Sequence, residues 1–187
     1  MRHTLILFSG ALILAGCREQ LPNRQAPIRA DSQEAFQLPP DPFGWPVVDR
    51  TNRRVGTVFT RLDKEGRVLV MLDTAGLPPG SHGVHIHEAS KCEMPAFESA
   101  GAHWNWTHKQ HGHKNRQGYH AGDLGNLTVA DNGKGQATFV VQGKDWDPKS
   151  TGPHSLVVHA AADDDMTDPS GNSGQRIACG LFYLRRD

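Results

Sequence analysis

The stretch HGVHIHE, His82 to Glu88, places three histidines and a glutamate in seven residues and interleaves them with Val84 and Ile86. Side chains alternate faces along a strand, so Val84 and Ile86 point together into a core while His85 and His87 share the opposite face. Two neutral imidazoles side by side are the beginning of a metal site. His82 is followed by glycine and falls out of phase with the other two, so it reads as structural. This one stretch predicts a strand with a core on one side and chemistry on the other.

Outward from it, from about Val47, the chain continues in short alternating or β-branched runs: VGTVFTRL, RVLVMLDT, GVHIHE, NLTVA, QATFVV, SLVVHA and RIACGLFYL. DKEG at Asp63 to Gly66 and DNGKG at Asp131 to Gly135 lie between such runs and predict hairpin turns. No long segment has helical spacing of apolar residues, so the class is an all-β sandwich or barrel. Two longer insertions interrupt the strands, at about Ala89 to Gly122 and about Gly143 to Gly174. Connections of that length inside a compact domain are usually functional.

Of the eleven histidines, every one but His3 falls between His82 and His159. The first insertion carries His103, His111 and His120, followed by Asp123, and a second strand candidate, SLVVHAAADDD, leads into His159. Six histidines and an aspartate, with no cysteine to help, suit metals that accept imidazole nitrogen, chiefly copper and zinc. His85, His87 and His159 are expected on strands and His111, His120 and Asp123 in one loop, which points to two neighbouring sites. His108 and His113 read as solvated loop residues, although His113 is placed to take a surface metal.

The 187 residues, 37% of them hydrophobic, suffice for one domain with a real core, and the formal charge is zero. Lys and Arg form no long runs, so the footprint of a nucleic-acid binder is missing. Residues 1–16 have a basic start at Arg2, an apolar run from Leu5 to Leu14 and small residues before Cys17, the shape of an export signal too short for a comfortable membrane span. The ending LAGC resembles the bacterial lipobox, which would make Cys17 an acylated membrane anchor; an ordinary secretory signal is the alternative. Residues 17–45 are polar and proline-studded and read as a tether, leaving 46–187 as the folded domain. The expected location is the periplasm or cell envelope. With Cys17 lipidated, Cys92 and Cys179 remain as a pair bound for an oxidising compartment, where a disulfide persists; two separate buried thiols are the alternative.

GSHGVHIHE, SAGAHWN, HAGDLGNL, LVVHAAADD and DPSGNSGQRIACG resemble, in order, the signatures of copper/zinc superoxide dismutase, over roughly Val47 to Leu184. The resemblance implies a Greek-key β-barrel or sandwich of about eight antiparallel strands with two functional loops. It implies that His85, His87, His103 and His159 hold copper, that His103, His111, His120 and Asp123 hold zinc, and that His103 bridges the two. Asp163 would hydrogen-bond His85 and His111, and Arg176 would stand over the open copper face and attract the anion. With net charge near zero the attraction must come from local residues, and Lys144 and Lys149 of the second insertion are candidate helpers. The Cys92 disulfide would tie the first insertion to the strand after Arg176. Trp106 and Val84 depart from common family residues, and neither is a ligand.

The implied reaction is disproportionation of superoxide to dioxygen and hydrogen peroxide by copper cycling between two oxidation states, with zinc structural. A non-catalytic metal-buffering lipoprotein would need neither a bridge nor Arg176. A zinc hydrolase would need a general base beside an open zinc position, and none is evident. Apolar strand faces serve a core or a second copy equally, so a homodimer stays open.

Overall fold

The computed structural model describes residues 44–141 and 153–183. Eight strands run through these residues: β1 Trp45–Asp49, β2 Arg54–Leu62, β3 Val68–Ala75, β4 Gly80–His87, β5 Asp123–Val129, β6 Lys134–Val141, β7 His154–His159 and β8 Arg176–Phe182. The one helical element among them is a single 3₁₀ turn, Glu98–Ala100. All strand pairs are antiparallel and close into a barrel in the order β1-β2-β3-β6-β5-β4-β7-β8. The fold is therefore all-β, with the out-of-sequence neighbours β3–β6 and β4–β7 that define Greek-key crossings.

Alternation builds the wall. In β3, Val68, Val70, Leu72 and Thr74 are buried while Asp73 and Ala75 are exposed, as expected of a sheet with one face on a core. Val84 and Ile86 of β4 join Leu127, Leu156, Val158 and Phe182 in the barrel interior, all fully buried. Both predicted hairpins are present: Gly66 N donates to Asp63 O, and Gly133 N donates to Ala130 O. Gly66 and Gly133 have φ of +74° and +76°, a conformation that costs glycine nothing.

The structure departs from the sequence expectations in two places. β1 begins at Trp45 and carries Pro46, a stretch that reads as tether because it is short and contains proline. Pro46 pairs only with β2, through Thr57, while the pairing of β1 with β8 involves Val48 and Asp49, so its missing N–H breaks no ladder bond on that side. Asp123 opens β5 rather than ending a loop, opposite His85 of β4. The second insertion is divided by β7, the strand expected at SLVVHA, which leaves residues 160–175 as the loop over the histidines. The signal, residues 17–43 of the tether with Cys17, and Lys144 and Lys149 lie outside the described residues.

Candidate metal centre

β4 is buried on both faces from His82 onward, and that explains its histidines. Val84 and Ile86 enter the barrel, while His85 and His87 lie outside the wall beneath the two loops, 0% and 1% exposed. Register shifts fall between Val84 and His85 in the β4–β5 pairing and between Val158 and His159 in the β7–β8 pairing. The extra residues are Leu124 of β5 and Ile177 of β8, so each bulge adjoins a site residue of its own strand, Asp123 or Arg176, opposite a histidine of the cluster. His103 comes from the first insertion, which lies antiparallel to the end of β4: Glu88 N donates to Ala102 O and Trp104 N to Ile86 O.

His85, His87, His103 and His159 form one group, with one potential ligand atom from each lying within 4.8 Å of the others. Each ring is oriented through its other nitrogen. His85 Nε2 donates to Asp163 Oδ2 (2.8 Å), His87 Nδ1 to Gly101 O (2.9 Å) and His159 Nδ1 to Gly174 O (3.1 Å). That fixes the tautomers and leaves bare lone pairs at His85 Nδ1, His87 Nε2 and His159 Nε2. These atoms and His103 Nε2 are buried and make no hydrogen bond. Unpaired buried nitrogens are costly unless something satisfies them, and a cation accepting four imidazoles does so. Burial holds all three of these rings neutral, pushing His85 down to about 3, His87 to about 2 and His159 to about 4.

The other nitrogen of His103 belongs to a second group. His103 Nδ1 lies 2.9 Å from Asp123 Oδ1, His120 Nδ1 lies 3.2 Å from the same oxygen, and the two ring nitrogens are 3.4 Å apart. His111 Nδ1 stands 3.0 Å from Asp123 Oδ1 without hydrogen-bond alignment, so this approach is electrostatic contact. Nitrogens of His103, His111 and His120 thus stand within 3.2 Å of one carboxylate oxygen, a donor set that suits zinc, although the tightest grouping of ligand atoms here takes in His85 with His103, His111 and Asp123. Burial works against charge on Asp123, but the surrounding rings override it and hold the carboxyl far below its ordinary range. Gly112 N and His120 N both donate to Asp123 Oδ2, which aims Oδ1 at the rings.

Asp163 joins the two groups: its Oδ2 accepts from His85, and its Oδ1 accepts from His111 Nε2 at 2.9 Å. Asn126 of β5 pins it by accepting from Asp163 N (2.8 Å) and donating to Asp163 O (2.9 Å). Gly171, at φ +62°, passes so close that a Cβ would collide with Asp163 Oδ1 and stand 2.6 Å from His111 Nε2. His82 is buried with its two ring nitrogens on the carbonyls of His159 and Pro78, a bracing role outside both groups. His113 is exposed, stacked on Tyr119 and bonded to Asp165 Oδ1, and His108 is also exposed.

Arg176 opens β8 directly opposite His159. Its Nη1 donates to Phe97 O and its Nη2 to Gly101 O, both at 2.6 Å, so the guanidinium is locked onto the first insertion. Gly101 O also accepts from His87, which makes one carbonyl the link between the cation and a histidine of the cluster. Its charge reaches the cluster and adds to the burial that keeps His87 and His159 neutral. Cys92 and Cys179 form a disulfide, with Cα atoms 5.7 Å apart, fastening the same insertion to β8 three residues beyond Arg176. Phe97, Gly101, Asn126 and Gly171 escaped the sequence reading, because the first two act through backbone carbonyls and the others through position alone.

A closed Greek-key barrel bearing two adjoining histidine groups beneath its loops is the architecture of a metal-binding β-barrel protein. The family model for copper/zinc superoxide dismutase matches residues 55–182, and the chain belongs to that family. It is similar to the superoxide dismutase-like protein YojM of Bacillus subtilis, 34% identical over 190 residues that cover 97% of this chain and 95% of that one. It is 37% identical over 142 residues to a Cu-Zn superoxide dismutase of Aquifex aeolicus, covering 72% and 83%. A crystal structure of a double mutant of a SOD-like protein from Bacillus subtilis superposes with a TM-score of 0.69 at 36% identity, covering 78% of this chain and all of that one. The chain is accordingly an oxidoreductase of the superoxide dismutase type that uses copper and zinc.

Proposed function

We propose that copper is held by His85, His87, His103 and His159, that zinc is held by His103, His111, His120 and Asp123, and that the His103 ring bridges the two. The observation that carries this reading is the opposed environment of the His103 nitrogens: Nδ1 faces Asp123 and His120, while Nε2 is a bare buried atom in the group of four histidines. When bound, copper supplies reversible one-electron transfer and zinc a fixed charge without redox chemistry. The balanced reaction takes two superoxide ions and two protons to dioxygen and hydrogen peroxide. His103 Nε2 is the atom on which this chain can hold and release a proton next to the reacting oxygen. Arg176, positive at all working pH values and fixed by two carbonyls, attracts and orients the anion. Asp163 keeps His85 and His111 in the tautomers that each group requires.

Metal analysis of the loaded protein should give one copper and one zinc per chain. His159→Ala should lose copper and turnover while keeping zinc, Asp123→Ala should lose zinc and keep some redox-active copper, and His103→Ala should weaken both. Identical metal losses in the first two variants would sink the assignment.

The same reading extends to location: the chain is exported and anchored in the cell envelope by acylation of Cys17. The support is the basic, apolar and LAGC segments of residues 1–17 and the absence of any apolar run in the tether that could replace an anchor.

A further inference from the structure

The turn that grips Arg176 also carries an acid. Phe97 and Gly101, whose carbonyls accept from the guanidinium, flank the 3₁₀ turn Glu98–Ala100, and Glu98 is its first residue, exposed to solvent. Glu98 follows directly the carbonyl that takes Nη1. Covalent geometry therefore holds its Cα within roughly 5.5 Å of Nη1 and its carboxylate within roughly 10 Å in every rotamer. That is about one Debye length at 0.1 M salt. The guanidinium donates to the carbonyls of Phe97 and Gly101 and not to this carboxylate, whose charge is therefore not consumed in a direct pair. Burial works against the charged form of Arg176 and Glu98 works for it, which is the effect of a carboxylate near enough for its field to count. Glu88 is also close, but its Oε1 accepts from Ala102 N and its side chain packs against Gly101, so it belongs to the scaffold of the turn.

We propose that Glu98 restrains anion capture at this site: its exposed carboxylate, on the turn that cradles Arg176, subtracts from the positive field an incoming small anion meets. The inference rests on the reading that Arg176 guides superoxide to the group of four histidines. The formal charge of the chain is zero, so the field at the mouth is set by a few local residues, and neutralising one of them has a measurable share. A unit charge at this distance in a water-like medium changes encounter by roughly 1.5- to 3-fold at low salt, and by little at about 1 M.

The test compares Glu98→Gln, Glu98→Asp and Arg176→Ile in protein loaded with copper and zinc. Superoxide loss is followed against ionic strength, and azide affinity is read from the copper absorption band. Glu98→Gln should raise both rate and azide affinity roughly 1.5- to 3-fold at about 0.01 M salt and converge with the parent near 1 M. Glu98→Asp should follow the parent, because charge is retained. Metal content and thermal midpoint should not move, and a change in either for Glu98→Gln would assign the residue a structural role and overturn the proposal. Unchanged capture in Glu98→Gln alongside slowed capture in Arg176→Ile would also overturn it while leaving the guiding role of Arg176 intact. Parent behaviour in Arg176→Ile would instead remove the reading on which the proposal stands.

Discussion

Arg176 and His87 share the carbonyl of Gly101, so the cation and the histidine cluster are positioned by one atom of the first insertion. A lysine there retains the charge but cannot present two fixed donors to Phe97 O and Gly101 O together. Arg176→Ile should keep fold and both metals, lower the rate and flatten its dependence on salt, while Arg176→Lys should fall between; stopped-flow measurement across an ionic-strength series checks both. Parent rates and parent slopes in the isoleucine variant would refute the guiding role. Gly171 is the other residue with a sharp expectation. A methyl group there collides with Asp163 Oδ1 and crowds His111 Nε2, so Gly171→Ala should displace the hydrogen bond that orients His111. Zinc affinity should fall by about 10- to 100-fold with copper affected less, as competition against a chelator would read.

At the scale of elements, the bulges in β5 and β8 opposite His85 and His159, and the backbone bonds that join Ala102 and Trp104 to the end of β4, bring three separate segments to one point. The segment from Ala89 to Gly101 has little regular structure and is held by Arg176, by the disulfide and by a small cluster of Phe97, Ala100, Val157 and Cys179 outside the barrel wall. Cys92→Ser should therefore cost about 2–4 kcal/mol. It should speed amide exchange in residues 89–101 far more than in β2, β3 and β6. Uniform acceleration across the barrel strands would show that the disulfide supports the whole fold instead of the loop.

The whole molecule is a barrel with no free strand edge among the described residues, its core separate from the chemistry. None of the clustered histidines belongs to that core, so removing both metals should leave it intact and loosen the loops alone. Metal-free protein should keep its β circular dichroism at room temperature, lose thermal stability, and recover it on adding zinc in proportion to occupancy. Loss of the β signal on chelation would mean that the barrel itself depends on metal. At this scale also belongs the proposed anchor: Cys17→Ser should abolish lipid labelling and release a soluble or uncleaved chain. Unchanged labelling in that variant would exclude acylation at this residue.

Periodicity in the amino-acid sequence by itself determined the all-β class, the strand character of β4 and β7, the two hairpins and the residues able to bind metal. Alternation records directly which face is buried, and histidine on the second face of a doubly buried strand has few uses. β1 was not legible, because Trp45 and Pro46 find a place only when β2 and β8 arrive on either side of the segment. Nor could local pattern disclose that Asp123 pairs opposite His85, that Asn126 clamps Asp163, or which nitrogen of each ring is left bare. Those outcomes depend on groups far apart in the chain, such as His85 and Asp163 at a separation of 78 residues, and on carbonyls that every residue possesses. Tertiary closure selects among identical backbone acceptors by position, and that choice is what turned a set of histidines into two adjoining groups.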